Sequence, residues 1–275
     1  MRNVINMNRD WRFIREDAGL PGELPSDWKR VDLPHTWNAV DGHDGNGGYY
    51  RGKCWYAKSF ETPGQPLAGG KVYVEILAAG QQATVYVNGI EVTYHEGGYS
   101  IFRADITRFC KEKGENLLVV ACSNENKSSV YPQAADFTFY GGLYRGVNLI
   151  SVPEAHFELA YYGGDGLQVT AKPCEDGGAV FEMVSWVCGG DENFTVMYSV
   201  RDEDGEEVAS AVRPADRTRV SIYVPDAERW NIDDPCLYTV TATLLRRNEA
   251  YDEVSVRAGV RSFFFVLEKG FVING

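Results

Sequence analysis

Short runs of alternating apolar and polar residues, broken by Gly, Pro, Asn and Asp, fill almost the whole chain. Nowhere do apolar residues recur at i, i+3 and i+4 over a helix-length window, so the pattern predicts an all-β protein. In the first half the runs at residues 71–77, 84–87 and 90–94 read as strands. Asn88-Gly89 separates the last two and suits the type I′ turn of a tight hairpin, which needs positive φ at both central residues. Residues 117–122 are continuously apolar, as expected of a strand with another sheet packed on its inner side. Strands at this spacing predict a β-sandwich or a jelly roll.

The strand at residues 147–152 should stop at Pro153, which has no amide donor, and a domain boundary is expected there. Beyond it, residues 167–171, 179–187, 194–200, 219–224 and 237–244 alternate as strands, with turns at Gly177-Gly178, Gly189-Gly190 and Asp202-Glu203-Asp204-Gly205. This describes an immunoglobulin-like β-sandwich without the Cys-Trp-Cys pin of antibody domains. Trp230, Pro235, Leu237 and Tyr238 read as an aromatic plug with a packing role. A strand at 259–266 and a short run ending at Asn274-Gly275 look like a hairpin whose return strand is missing, so the chain is expected to continue. The expected layout is a jelly roll over 1–152, an immunoglobulin-like sandwich over 153–262, and the start of a further domain over 263–275.

Composition narrows the function. The 275 residues, 44% of them hydrophobic, are enough for two ordinary cores. A formal net charge of −12, without a Lys/Arg cluster, argues against nucleic acid as a partner. No apolar run is long enough to span a membrane, and the N-terminus lacks the apolar core of a secretion signal. Cys54, Cys110, Cys122, Cys174, Cys188 and Cys236 show no CxxC spacing, which argues against a metal or redox centre and fits reduced thiols in a cytoplasmic protein. His35, His43, His95 and His156 lie far apart and read as structural.

The stretch with most chemistry is Asp136-Phe137-Thr138-Phe139-Tyr140-Gly141-Gly142-Leu143-Tyr144-Arg145. An acid, three aromatics and a glycine pair suit a constrained corner that presents a carboxylate, with rings either buried or stacked on a ligand. The competing reading is an aromatic corner in which Asp136 and Arg145 pair with each other.

Together with Leu33-Pro34-His35-Thr36-Trp37-Asn38, Tyr49-Tyr50-Arg51-Gly52, Trp55-Tyr56, Val87-Asn88-Gly89, Asp105-Ile106-Thr107, Gly259-Val260-Arg261 and Gly270-Phe271-Val272-Ile273-Asn274-Gly275, this stretch resembles the family 2 glycoside hydrolases over nearly the whole chain. The order of motifs looks most like the bacterial β-galactosidase branch, with β-glucuronidase and β-mannosidase as alternatives. The resemblance implies an N-terminal sugar-binding jelly roll and an immunoglobulin-like domain ahead of a catalytic TIM barrel. It implies retaining hydrolysis of terminal β-linked carbohydrate by two barrel glutamates, so no catalytic residue is expected in this chain. It matches Asp136 to an aspartate that reaches the sugar pocket, and Arg51 to a segment beside it. No cofactor is implied, and no metal site is expected here because the ligands of the ion some β-galactosidases hold would lie largely in the barrel. The full-length protein is expected to be a homo-oligomer. The competing function is a free-standing carbohydrate-binding or adhesion protein of two sandwiches, which should show an exposed aromatic platform on a sheet face.

Overall fold

The computed structural model describes residues 1–41, 44, 48–63, 69–132, 135–217 and 219–275; His43 lies outside them. It is an all-β chain whose described residues include one single-turn 3-10 helix, Thr107–Phe109, and no α-helix. It divides into two compact units, Asn3–Ser151 and Val152–Gly275, the latter joined by Met1–Arg2.

The first unit is built from β1 (Asn3–Asn6), β2 (Trp11–Ile14), β3 (Lys29–Val31), β4 (Lys53–Glu61), β5 (Lys71–Ile76), β6 (Gln82–Val87), β7 (Ile90–Glu96), β8 (Phe102–Asp105), β9 (Glu115–Ser123) and β10 (Val147–Val152). A six-stranded sheet, β3-β2-β4-β9-β6-β7, and a four-stranded sheet, β1-β10-β5-β8, form the sandwich. Alternation decides what each strand buries. Cys54, Tyr56 and Phe60 of β4 and Leu118, Val120 and Cys122 of β9 enter the main core. Trp55, Ala57, Val119 and Ala121 point to the other face, where Trp28 and Leu24 pack on them. Both faces of β9 are therefore covered, which is why its sequence is apolar throughout rather than alternating. Asn88 (φ 51°) and Gly89 (φ 82°) form the tight turn between β6 and β7, with Val87 opposite Ile90.

The second unit comprises β11 (His156–Phe157), β12 (Leu167–Pro173), β13 (Ala179–Ser185), β14 (Val187–Cys188), β15 (Phe194–Arg201), β16 (Glu207–Pro214), β17 (Arg219–Val224), β18 (Tyr238–Arg246), β19 (Glu249–Ala258), β20 (Phe263–Val266) and β21 (Gly270–Ile273). The sheets β12-β13-β17 and β16-β15-β18-β19 enclose a core containing Phe181, Met183, Val196, Tyr198, Ile222 and Val240. This is the three-on-four arrangement of an immunoglobulin-like sandwich. Cys236 is buried there, and none of the six cysteines forms a disulfide.

Three expectations need correction. The run 179–187 is not one strand: β13 ends at Ser185, Trp186 N donates to Gly166 O, and β14 pairs instead with β11. The run 259–266 is likewise interrupted, because Val260 bridges Arg229 and the strand β20 begins only at Phe263. The terminal segment does find a partner: β21 pairs with β20, and Asn274 closes the hairpin by accepting from Ser262 N and donating to Trp230 O. Its aromatic side chains remain exposed all the same, Phe265 at 79% and neighbouring Leu267 at 96%. Trp230 packs on Gly259, and the Arg261 guanidinium lies 4.9 Å from its ring centroid.

Candidate functional site

Two buried asparagines join the loops that carry the candidate residues. Asn124 directly follows β9 and Asn38 belongs to the Trp37-Asn38 segment; both are 0% exposed. An amide can donate twice and accept twice, and a buried one must find those partners inside the protein. Asn124 Oδ1 accepts from Gly52 N (2.9 Å), while the two hydrogens of its Nδ2 face three acceptors, Phe139 O (2.9 Å), Asn38 Oδ1 (3.1 Å) and Tyr50 O (3.2 Å), so one of them is shared. Asn38 Oδ1 also accepts from Gly141 N (2.8 Å), and its Nδ2 donates to Tyr50 O (2.9 Å) and to the Asp41 carboxylate (3.1 Å). Asp41 in turn accepts from Tyr50 N at 2.9 Å. Residues 38–41, 50–52 and 139–141 are thereby fixed to one another through buried amide groups.

The glycine pair is there for close approach. A Cβ at Gly141 would stand 1.9 Å from Trp37 Cζ2, and one at Gly142 (φ 123°) would stand 2.5 Å from His35 O. Gly142 O accepts from Gly80 N (3.0 Å) and Thr36 Oγ1 donates to Gly141 O (2.8 Å), so the corner is held from both sides.

Arg51 is placed by this framework. Its Nε donates to Asn124 O at 2.8 Å, and its guanidinium lies 5.0 Å from the Phe139 ring centroid and 5.8 Å from that of Tyr49. Tyr49 OH accepts from Phe139 N (3.2 Å), closing the cluster. Arg51 Nη2 is buried and has no hydrogen-bond partner among the described residues. Phe137 contacts Phe139 at 5.0 Å between centroids. Asp136 is exposed and makes no hydrogen bond or ion pair among the described residues. The Asp136–Arg145 pairing is not formed, because Arg145 Nη1 donates to Tyr99 O (3.1 Å) instead. The structure thus brings the Phe137–Gly142 corner and Arg51 together through Phe139 and leaves Asp136 at its solvent edge.

The segment after Asn124 has a second anchor on β7. Glu96 accepts from Ser129 Oγ and Tyr94 OH, both at 2.6 Å, and forms an ion pair with Lys127. The Lys127 hydrogen bond, followed by those of Ser129 and Tyr94, lowers the Glu96 pKa to about 2.

The described histidines are held by structural contacts. His35 Nδ1 meets Tyr56 OH at 2.7 Å, and burial, helped by Lys29, lowers its pKa to about 4. His95 stacks on Phe102 with ring centroids 4.2 Å apart, and His156 Nδ1 contacts Pro153 O at 2.9 Å. Among the described residues no three His, Cys, Asp or Glu side chains converge as a metal site requires, and no helix is long and apolar enough to cross a membrane. A groove of about 660 Å³ opens beside Trp28, His35 and Trp37, but neither Arg51 nor Asp136 lines it. Sequence reasoning missed Asn124 and the stacking role of Phe139. The available signal for Asn124 was faint: a polar amide immediately after an apolar strand.

A family model described as the glycosyl hydrolases family 2 sugar-binding domain matches residues 5–153, and a second, glycosyl hydrolases family 2, matches residues 168–261. The chain belongs to glycosyl hydrolase family 2. The solved FMN-binding β-glucuronidase of Faecalibacterium prausnitzii L2-6 superposes on all of this chain and 42% of its own, with a TM-score of 0.93 and 57% identity. Among curated relatives, a putative β-glucuronidase of Formosa agariphila and a β-galactosidase of Bacteroides ovatus are each 30% identical over the whole of this chain. The chain spans about a third of the length of these curated relatives, 33% in each case.

Proposed function

We propose that residues 1–275 are the N-terminal, non-catalytic part of a retaining, exo-acting glycoside hydrolase, and that the full-length protein is a β-glucuronidase. The observation that carries this reading is the 57% identity, over the entire chain, to a solved β-glucuronidase. It outweighs the motif resemblance to β-galactosidases, which keep the Bacteroides ovatus relative in their favour as the second reading. In a retaining enzyme two carboxylates about 5 Å apart act as acid/base and nucleophile, and both are assigned to a following barrel.

In this reading Asp136 and Arg51 contribute to the sugar subsite. Asp136 accepts hydrogen bonds from sugar hydroxyls, a role supported by its exposed carboxylate with no partner among the described residues. Arg51 supplies a fixed cation, supported by its clamp on Phe139 and by an Nη2 without a hydrogen-bond partner among the described residues. Residues 263–275 lead into the barrel, against which the exposed aromatics of β20 and β21 pack. The full-length protein is read as a cytoplasmic homo-oligomer; cysteines without disulfides fit a reducing compartment.

Purified full-length protein should hydrolyse 4-nitrophenyl β-glucuronide with a higher kcat/KM than the β-galactoside or β-mannoside, while residues 1–275 alone fold and turn over none of them. Preference for the galactoside would install the second reading. Turnover by residues 1–275 alone, free of contaminating enzyme, would overturn the assignment of the catalytic carboxylates to a following domain.

A further inference from the structure

Asn124 touches both segments that carry the candidate sugar contacts. Through Oδ1 it holds Gly52 N, next to Arg51, and through its own backbone carbonyl it holds Arg51 Nε. Through Nδ2 it holds Phe139 O, whose ring lies under the Arg51 guanidinium and whose chain leads back to Asp136. Asn38 extends the same grip to Gly141 N. Beyond the named strands (β4 begins at Lys53, β9 ends at Ser123 and β10 begins at Val147) one long backbone bond, Asn124 N to Gly52 O at 3.4 Å, continues the β4–β9 ladder, and the side-chain amides make the links to the Phe139–Gly141 corner.

We infer that Asn124 is a positioning residue of the sugar subsite, setting the placement of Arg51 relative to the Asp136 corner. The inference rests on the glycosidase reading above. A buried amide suits this task because each of its bonds is directional and has no water to compete with it. The molecule also contains a matched control. Asn116, 1% exposed, lies at the other end of β9, about 26 Å away along the strand at the usual rise per residue. It too ties loops together, bonding Asn88 Nδ2, Lys111 N and Thr62 Oγ1.

The test uses full-length protein and 4-nitrophenyl β-glucuronide, with kcat and KM measured per folded molecule for wild type, Asn124→Ala, Asn116→Ala, Asp136→Asn and Asn124→Ala/Asp136→Asn. Both Ala variants should lower thermal stability. Asn124→Ala should also lower kcat/KM by about 100-fold, the scale expected of an ångström-sized misplacement. It should do so with the same division between kcat and KM as Asp136→Asn, and the double variant should be little worse than the poorer single variant. Asn116→Ala should leave both constants unchanged. If Asn124→Ala does not yield folded protein, Asn38→Ser, which releases Gly141 N, takes its place in the cycle. Unchanged constants in folded Asn124→Ala, or losses that simply multiply in the double variant, overturn the positioning role while leaving the glycosidase reading intact. Wild-type protein inactive on glucuronide, galactoside and mannoside alike overturns both.

Discussion

The indole of Trp37 lies against the α-carbon of Gly141, so close that a methyl group there would stand 1.9 Å from Cζ2. Trp37 is part of the main core on one side and lines the groove beside Trp28 and His35 on the other, so moving its ring disturbs core packing. Gly141→Ala should therefore displace the corner, the ring or both, at a cost of about 1–3 kcal/mol. Thermal unfolding should show a lowered Tm, and the full-length enzyme should lose kcat/KM as well. An unchanged Tm would mean that the corner is looser than its packing indicates.

Asp136 should behave in the opposite manner. Its carboxylate is exposed and unpartnered among the described residues, so Asp136→Asn and Asp136→Ala should leave Tm unchanged. A charged hydrogen bond to substrate is worth about 1.5–3 kcal/mol, so each variant should lower kcat/KM of the full-length enzyme about 10- to 150-fold. Wild-type kinetics in both variants would remove Asp136 from the sugar subsite. A fall in Tm without a kinetic change would make it a structural residue.

Stability should fall in mild acid through His35. Burial disfavours the imidazolium, so the folded protein protonates His35 near about 4, whereas the unfolded chain does so near 6.5. Between those values the unfolded state binds more protons. The contribution of neutral His35 is therefore complete above the unfolded value and lost progressively as pH falls towards the folded one. His95 is shifted in the same direction, by burial first, and adds to the slope. Denaturant midpoints at neutral pH and at about pH 4.5 should differ less for His35→Gln than for wild type. Equal differences in the two proteins would show that His35 does not carry the effect.

Asp252 should be among the costlier positions in the immunoglobulin-like unit. It is 0% exposed and accepts from Arg2 Nε (2.9 Å), Arg2 Nη2 (2.8 Å) and Phe157 N (2.8 Å). Asp252→Ala strands a mostly buried guanidinium and a buried amide, which should cost about 3–5 kcal/mol in chemical unfolding. Asp252→Asn, which still offers an acceptor to Phe157 N, should cost less. Equal losses in the two variants would show that the carboxylate charge, rather than the Phe157 bond, dominates.

The all-β class, the β6–β7 hairpin and the strand β9 could be read directly from the chain, because alternation, Asn-Gly turn chemistry and unbroken apolar runs are local signals. Local signals also located the acid-aromatic-glycine corner at residues 136–145. Strands β16 and β19 escaped notice because both lie at the edges of their sheet and carry enough polar residues to dilute the alternation. The break between β13 and β14 could not be read either, since it depends on which distant strand offers an open hydrogen-bonding edge. For the site, sequence nominated Asp136 and Arg51 by family resemblance alone. Only the tertiary structure separated them into an exposed carboxylate without a partner among the described residues and a cation clamped on Phe139, and only it gave Arg145 to Tyr99 O. Hydrogen bonds spanning 72 residues from Gly52 to Asn124 and 103 from Asn38 to Gly141 leave no periodicity in the chain. They exist only once the sheets have closed and brought buried amides within reach of backbone groups that have no strand partner.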